Sequence, residues 1–203
     1  MNILIVTADC RDHSLARSLA ERYVAGAKAS GDVIVEWADL AREGFDPRMT
    51  VADLAVYHGD GPLPADVRRE QQRIERADVV VLAFPVYWWS LPAVMKGWID
   101  RVFTKGWAFG GTDRFSGPLA GKAVRLIATG GAAPKAYEKH GYRAAITAQL
   151  EHGVFHFSGI RDVGTHLFLD VEDGDTAARL RNLSTAHDLG RALAARPGSA
   201  TAA

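Results

Sequence analysis

The sequence predicts an α/β protein, a doubly wound five-stranded parallel sheet in the order 2-1-3-4-5. Three observations predict it. Short apolar runs recur at 2–6, 33–37, 79–84, 122–129 and 163–169, and continuous runs of this kind suit strands covered on both faces. Helical patterns lie between them, which calls for crossovers onto both faces of one sheet. The 203 residues suit one α/β domain of ordinary size. That domain is expected over 1–195, with a mobile low-complexity tail at 196–203.

Each element has its own reason. The first run opens the chain and reads as the central strand. A polar loop, 7–13, follows it. Ser14 is placed to cap a helix over 15–30, on which Leu15, Leu19 and Tyr23 share a face, and Gly31 is expected to end it. A strand, a capped loop and a helix N-terminus make an anion site, because unsatisfied N–H groups and the helix dipole point at the loop. No G-x-G-x-x-G is present there, so a nicotinamide-type dinucleotide fingerprint is absent. The connection 38–64 is long, and long connections in compact domains serve function or pack on a partner. Residues 65–76 read as a charged helix with a solvated face.

The run 79–84 is the most strongly apolar. Pro85 ends it, and Val86, Tyr87, Trp88 and Trp89 follow before a helix over 92–104 that starts at Pro92, capped near Ser90 or Leu91. The three aromatic residues either plug the sheet edge or form a platform for a flat aromatic ligand, with backbone N–H groups meeting its polar rim. Ligands of open α/β sheets bind at this carboxyl end. The run 122–129 ends in Gly130-Gly131, where the backbone admits a close approach. A helix over 142–152 and a last helix over 175–195 complete the chain.

Composition narrows the class. Lys plus Arg and Asp plus Glu are 24 each, so the chain has no general attraction to nucleic acid or anionic membrane. Cys10 is the lone cysteine; it forms no intramolecular disulfide, fits a reducing cytoplasm, and is read as inert. No apolar run reaches the about 18 residues of a membrane span, and the chain passes directly into a strand, so no secretory signal is expected. No metal site is expected.

The stretch FPVYWWSLPAVMKGWIDRVF with GWAF after it, ATGG at 128–131 and GVFHFSGI at 153–160 resemble the NAD(P)H:quinone oxidoreductase family of flavodoxin-like flavoprotein reductases. The resemblance runs from Ile3 to about Leu193. It implies a flavodoxin-like fold and a flavin at the switch point. By the match, His13, Ser14 and Leu15 hold the flavin phosphates, and Pro85, Val86, Tyr87, Trp88 and Trp89 meet the ring. Thr129, Gly130 and Gly131 face its pyrimidine end. Trp107 and Phe109 line the substrate pocket, or else pack a loop on a helix. Tyr137 and His140 match a catalytic Tyr–His pair with a shortened interval, so Tyr142 competes with Tyr137.

Arg179 matches an arginine near the adenosine of FAD, with an exposed helix arginine as the alternative. The resemblance therefore implies FAD, with FMN as the alternative. NAD(P)H donates a hydride and leaves, and a quinone takes the same place, by ping-pong. A homodimer closes the pocket, and the helix over 142–152 is expected to bear on the partner. Other readings of the same residues are an azo- or nitro-reductase, an ancillary subunit of a potassium-efflux system, and an electron carrier of the flavodoxin type. The neutral charge balance disfavours the last.

Overall fold

The computed structural model describes residues 1–11, 13–111, 117–171 and 175–194. The tail expected to be mobile, 196–203, and the last residue of the expected domain lie outside the described residues.

The elements are β1 (Asn2–Thr7), α1 (Leu15–Lys28), β2 (Ile34–Asp39), α2 (Val51–His58), α3 (Ala65–Arg76), β3 (Val79–Pro85), α4 (Ala93–Val102), β4 (Ala123–Gly130), α5 (Pro134–Lys139), α6 (Tyr142–Ile146), β5 (Asp162–Leu169) and α7 (Thr176–Ala194). The sheet is parallel throughout, in the order β2-β1-β3-β4-β5. Every residue of β3 and β4 is buried, as their unbroken apolar runs require.

Strand alternation splits the core in two. Leu4, Val6, Val80, Leu82 and Phe84 face one side, against Trp98 and Met95 of α4. Ile3, Ile5, Val79, Val81 and Ala83 face the other, against Leu19 and Tyr23 of α1. On that second side α1 and α7 cross at two glycines. A Cβ on Gly26 would fall 1.9 Å from the His187 carbonyl oxygen, and one on Gly190 1.9 Å from that of Tyr23.

Four expectations need correction. The first helix stops at its C-cap, Ala29, which closes in ordinary right-handed geometry, so Gly31 is not its terminator. Pro92 is the N-cap of α4 rather than its first residue, and no side chain caps that helix. The helix over 142–152 runs on to His156, in π-helical form from Thr147.

The long connection 38–64 holds a helix, α2, that the apolar pattern hides. Its apolar Val51, Leu54 and Tyr57 are exposed, and Asp53 is its buried residue. It therefore shows no face matched to this chain's own core. Its ends were the readable signal: Thr50 and Asp53 form a reciprocal capping box, and Gly59 closes the helix at φ +85°.

Candidate active site

Three loops meet at the carboxyl edge of the sheet, after β1, β3 and β4. In the first, Ser14 has extended backbone and its Oγ accepts the Arg17 N–H at 3.2 Å, so it caps α1 as expected. His13 is exposed and Leu15 half-buried beside it. Thr7, the last residue of β1, is buried, and its hydroxyl has no hydrogen-bond partner among the described residues. Asp9 is also buried. It accepts from the Arg11 backbone N–H at 3.0 Å and from the guanidinium at 3.0 and 2.8 Å. Those bonds from Arg11 hold the carboxyl below its ordinary value.

The loop after β3 is a tight turn. Pro85 pairs with Thr129 across the sheet, and the Val86 N–H donates to the Thr129 carbonyl at 2.7 Å. Tyr87 and Ser90 exchange two backbone hydrogen bonds of 3.1 Å. The residues between them, Trp88 and Trp89, have φ +48° and +63°. Both central residues are left-handed, the pattern of a type I′ turn, which ordinarily selects Gly or Asn. Bulky residues held there cost on the order of 1–3 kcal/mol each, and such strain collects at functional sites.

The turn leaves useful groups free. Val86 and Tyr87 spend their N–H groups inside the fold. Those of Trp88 and Trp89 have no acceptor among the described residues. The Trp88 side chain is 94% exposed. Trp89 stacks on Tyr142, with centroids 3.6 Å apart and planes 12° from parallel, and meets Tyr137 edge-on at 5.4 Å.

A cleft of about 390 Å³ lies between this turn and the end of β4. Val86, Trp88 and Trp89 line one side, and Gly130, Gly131 and Tyr137 the other. A Cβ on Gly130 would sit 2.6 Å from the Tyr137 hydroxyl, so the glycine is what admits that phenol. Tyr137 is 1% exposed. Burial pushes its phenol above its ordinary value, so it remains a neutral O–H donor at neutral pH.

His140 does not line the cleft. It caps the C-terminus of α5, is exposed, and lies 5.5 Å from the Tyr142 ring. The structure thus joins Tyr137 and Tyr142, the two competitors, in one ring cluster with Trp89.

The two expected pocket aromatics part company. Phe109 lines a larger apolar groove of about 460 Å³ with Leu54, Tyr57, Phe103 and Phe157. Trp107 turns elsewhere: its indole N–H donates to Glu75 at 2.7 Å, and its ring packs edge-on against Phe103. That is the loop-packing alternative. Arg179 is exposed on the first turn of α7. The groove is larger than the cleft, but the free N–H groups, the strained turn and Tyr137 are all at the cleft.

Behind the groove, Arg101 is 4% exposed and bridges three segments. Its Nε donates to Asp53 at 3.0 Å, and its Nη1 to Asp66 at 2.6 Å and to the Asp46 carbonyl at 2.8 Å. It fixes α2 against α3 and α4.

The residues present fit a flavin. The cleft has one flat wall, free N–H donors on both sides, and a helix N-terminus at the same sheet edge beside the orphaned Thr7 hydroxyl. Asp9, Arg11 and the Trp89–Tyr142 stack were not expected. The sequence marks Arg11 and Asp9 only as two charges in a polar loop, and the stack joins residues 53 positions apart in the chain.

Among the described residues, no helix is long and apolar enough to cross a membrane, and no group of three or more His, Cys, Asp or Glu is placed to hold a metal ion.

A family model described as flavodoxin-like fold matches residues 1–188. The chain is 38% identical over 179 residues to the ribosyldihydronicotinamide dehydrogenase [quinone] of Rattus norvegicus, covering 78% of this chain and 77% of that protein. A solved NAD(P)H:quinone oxidoreductase from Methanothermobacter marburgensis superposes with a TM-score of 0.86 at 26% identity, over 95% of this chain and 96% of the other. An FMN-dependent NADH-azoreductase from Bacillus anthracis shares the fold, with a TM-score of 0.74 at 16% identity over 96% of this chain and all of the other.

Proposed function

The chain belongs to the flavodoxin-like fold family, and from that premise we propose that it is a flavin-dependent NAD(P)H:quinone oxidoreductase. The observation that carries this reading is the strained Trp88-Trp89 turn, whose N–H groups have no acceptor among the described residues and which lines one cleft with Gly130, Gly131 and Tyr137. The chemistry a bound flavin supplies is two-electron hydride exchange, from NAD(P)H and then to a quinone at the same place.

The protein's part is geometry and electrostatics. Trp89, braced by Tyr142, forms a rigid wall for the ring. The N–H groups of Trp88, Trp89 and Gly131 meet its polar edge. Tyr137 presents a neutral hydroxyl where negative charge develops, in the manner of an oxyanion hole. His140, beside Tyr142 at the rim, is the second proposed proton carrier. Ser14, Leu15 and His13 offer the α1 N-terminus to the phosphate. FAD is the proposed form, because Arg179 lies in the first turn of α7, at the sheet edge where α1 also begins; FMN is the alternative.

A homodimer is proposed from the groove. Met49, Leu54, Tyr57 and Phe157 are large apolar side chains left exposed around it, and a second copy would cover them and close the acceptor pocket beside Phe109. The proposed location is the cytoplasm.

The test is the visible spectrum of the purified protein, followed by acid release and chromatography of its cofactor. A yellow protein that releases FAD and bleaches anaerobically with NADH or NADPH supports the reading, and quinone and azo-dye series then rank the acceptors. Release of FMN would remove the role given to Arg179. A colourless protein that takes up neither flavin would overturn the proposal.

A further inference from the structure

We propose that Arg11 is a phosphate-binding residue of the cofactor site, held in place from beneath by the buried carboxylate of Asp9. This rests on the flavin reading above and adds to it a residue pair that the sequence does not mark.

The geometry is that of a fixed cation. Asp9 is buried, with a side chain 5% exposed, while Arg11 is 63% exposed. The guanidinium meets the carboxylate side-on, through Nε at 3.0 Å and Nη2 at 2.8 Å, and the Arg11 backbone N–H binds the same carboxylate at 3.0 Å. Three bonds to one buried group hold a long side chain that would otherwise sample many rotamers. A guanidinium has five N–H donors. Two are spent on Asp9. The remaining edge, including all of Nη1, has no partner among the described residues and belongs to a mostly exposed side chain.

That edge is well placed for an anion. Arg11 stands three residues before Ser14, whose cap opens the α1 N-terminus. Tyr87, of the aromatic turn, is near enough to Arg11 to act on it electrostatically. A planar guanidinium binds a phosphate through paired donors, and holding it beforehand lowers the ordering cost of binding.

Asp9 also explains why the cation is needed. A buried carboxylate beneath a phosphate loop repels the ligand. With Arg11 between them the order is carboxylate, guanidinium, phosphate, and each contact is attractive. Removing Arg11 deletes a donor and also uncovers a negative charge.

The same phosphate chemistry occurs in the flavin nucleotide and in the 2′-phosphate of NADPH. Proximity to the α1 N-terminus favours the flavin. The test uses apoprotein titrated with riboflavin and with FMN, read by fluorescence, for the unmodified chain, Arg11→Gln and Arg11→Lys. Arg11→Gln is expected to weaken FMN at least tenfold and leave riboflavin within twofold. Arg11→Lys, which keeps the charge and loses the fork, is expected to fall between. The salt dependence of FMN binding is expected to flatten in Arg11→Gln.

Equal losses for both ligands, or none, would overturn the inference while leaving the flavin reading intact. So would unchanged flavin affinities with a raised KM for NADPH and not NADH in the loaded enzyme, which would assign Arg11 to the donor. Failure of the unmodified chain to bind riboflavin, FMN or FAD would overturn both.

Discussion

The indole of Trp89 lies flat on the phenol ring of Tyr142, centroids 3.6 Å apart. Trp89 is held at φ +63°, so the stack braces a residue whose own backbone preference opposes its position. An aromatic pair contributes about 0.5–1.5 kcal/mol beyond the area it buries. Tyr142→Ala is therefore expected to loosen the turn and weaken flavin binding several-fold, while Tyr142→Phe keeps the stack and the affinity. Flavin titration and near-ultraviolet circular dichroism would check this; equal affinity in all three proteins would mean that the stack does not shape the site.

Trp88 separates function from stability. Its side chain is almost wholly exposed and its backbone is left-handed. Asn is enriched in that conformation and suits the first central position of a type I′ turn. Trp88→Asn is expected to leave stability unchanged or raise it by up to about 1 kcal/mol, and to reduce flavin retention. A clear drop in thermal midpoint in the flavin-free protein would show that the indole packs against the fold after all.

The parts legible in the sequence were those where local pattern and tertiary demand agree. The runs at 79–84 and 122–129 are buried on both faces, and Ser14 caps as a serine before a helix should. The parts that were not legible depend on a surface or a partner group outside the local pattern. Helix α2 escapes because Val51, Leu54 and Tyr57 point away from this chain's core. Trp107 and Phe109 lie two residues apart yet belong to different surroundings, one tied to Glu75 and the other in the groove. Nothing in GWAF distinguishes those fates. The π-helical run to His156 likewise leaves no signature in residue type.

Gly130 and Tyr137 form a second linked pair. An added methyl at Gly130 would press on the Tyr137 hydroxyl at 2.6 Å and on a Leu169 methyl at 3.1 Å. Overpacking of this kind costs about 1–3 kcal/mol. Gly130→Ala is expected to displace the phenol and slow hydride transfer, while Tyr137→Phe slows it without the loss of stability. Single-turnover reduction of bound flavin, with thermal melts of both variants, would separate the two. Unaltered reduction in Tyr137→Phe would remove its hydroxyl from the chemistry.

Arg101 links acid stability to the groove. Burial works to raise the Asp53 carboxyl, but the bonds from Arg101 and Thr50 outweigh it, and the group is held below its ordinary value of 3.8. A depressed carboxyl stabilises the fold above its unfolded value and loses that contribution as pH falls through the lower, folded value. The window therefore lies below about pH 4. Arg101→Met leaves Asp53 buried without its cation, which costs about 3–5 kcal/mol. The deficit is expected to narrow as pH falls below about 4, because there the unmodified chain loses the Asp53 contribution that the variant already lacks. Urea melts of both proteins at pH 7 and at about pH 3 would test this; a deficit that does not narrow on acidification would show that the Asp53–Arg101 pair does not set the acid response.

The exposed face of α2 gives the last prediction. Leu54 is half exposed and Tyr57 nearly so, and both line the groove with Phe109 and Phe157. In an isolated chain, Leu54→Asp should change stability by no more than about 0.5 kcal/mol, as surface substitutions usually do. In a dimer closed over the groove it would bury an unpaired charge, which is far more costly. Light scattering is thus expected to give a dimer mass for the unmodified chain and a monomer mass for Leu54→Asp, with quinone turnover lost in the monomer. A variant that stays dimeric would place the contact elsewhere, and a fully active monomer would show that one copy completes the acceptor pocket.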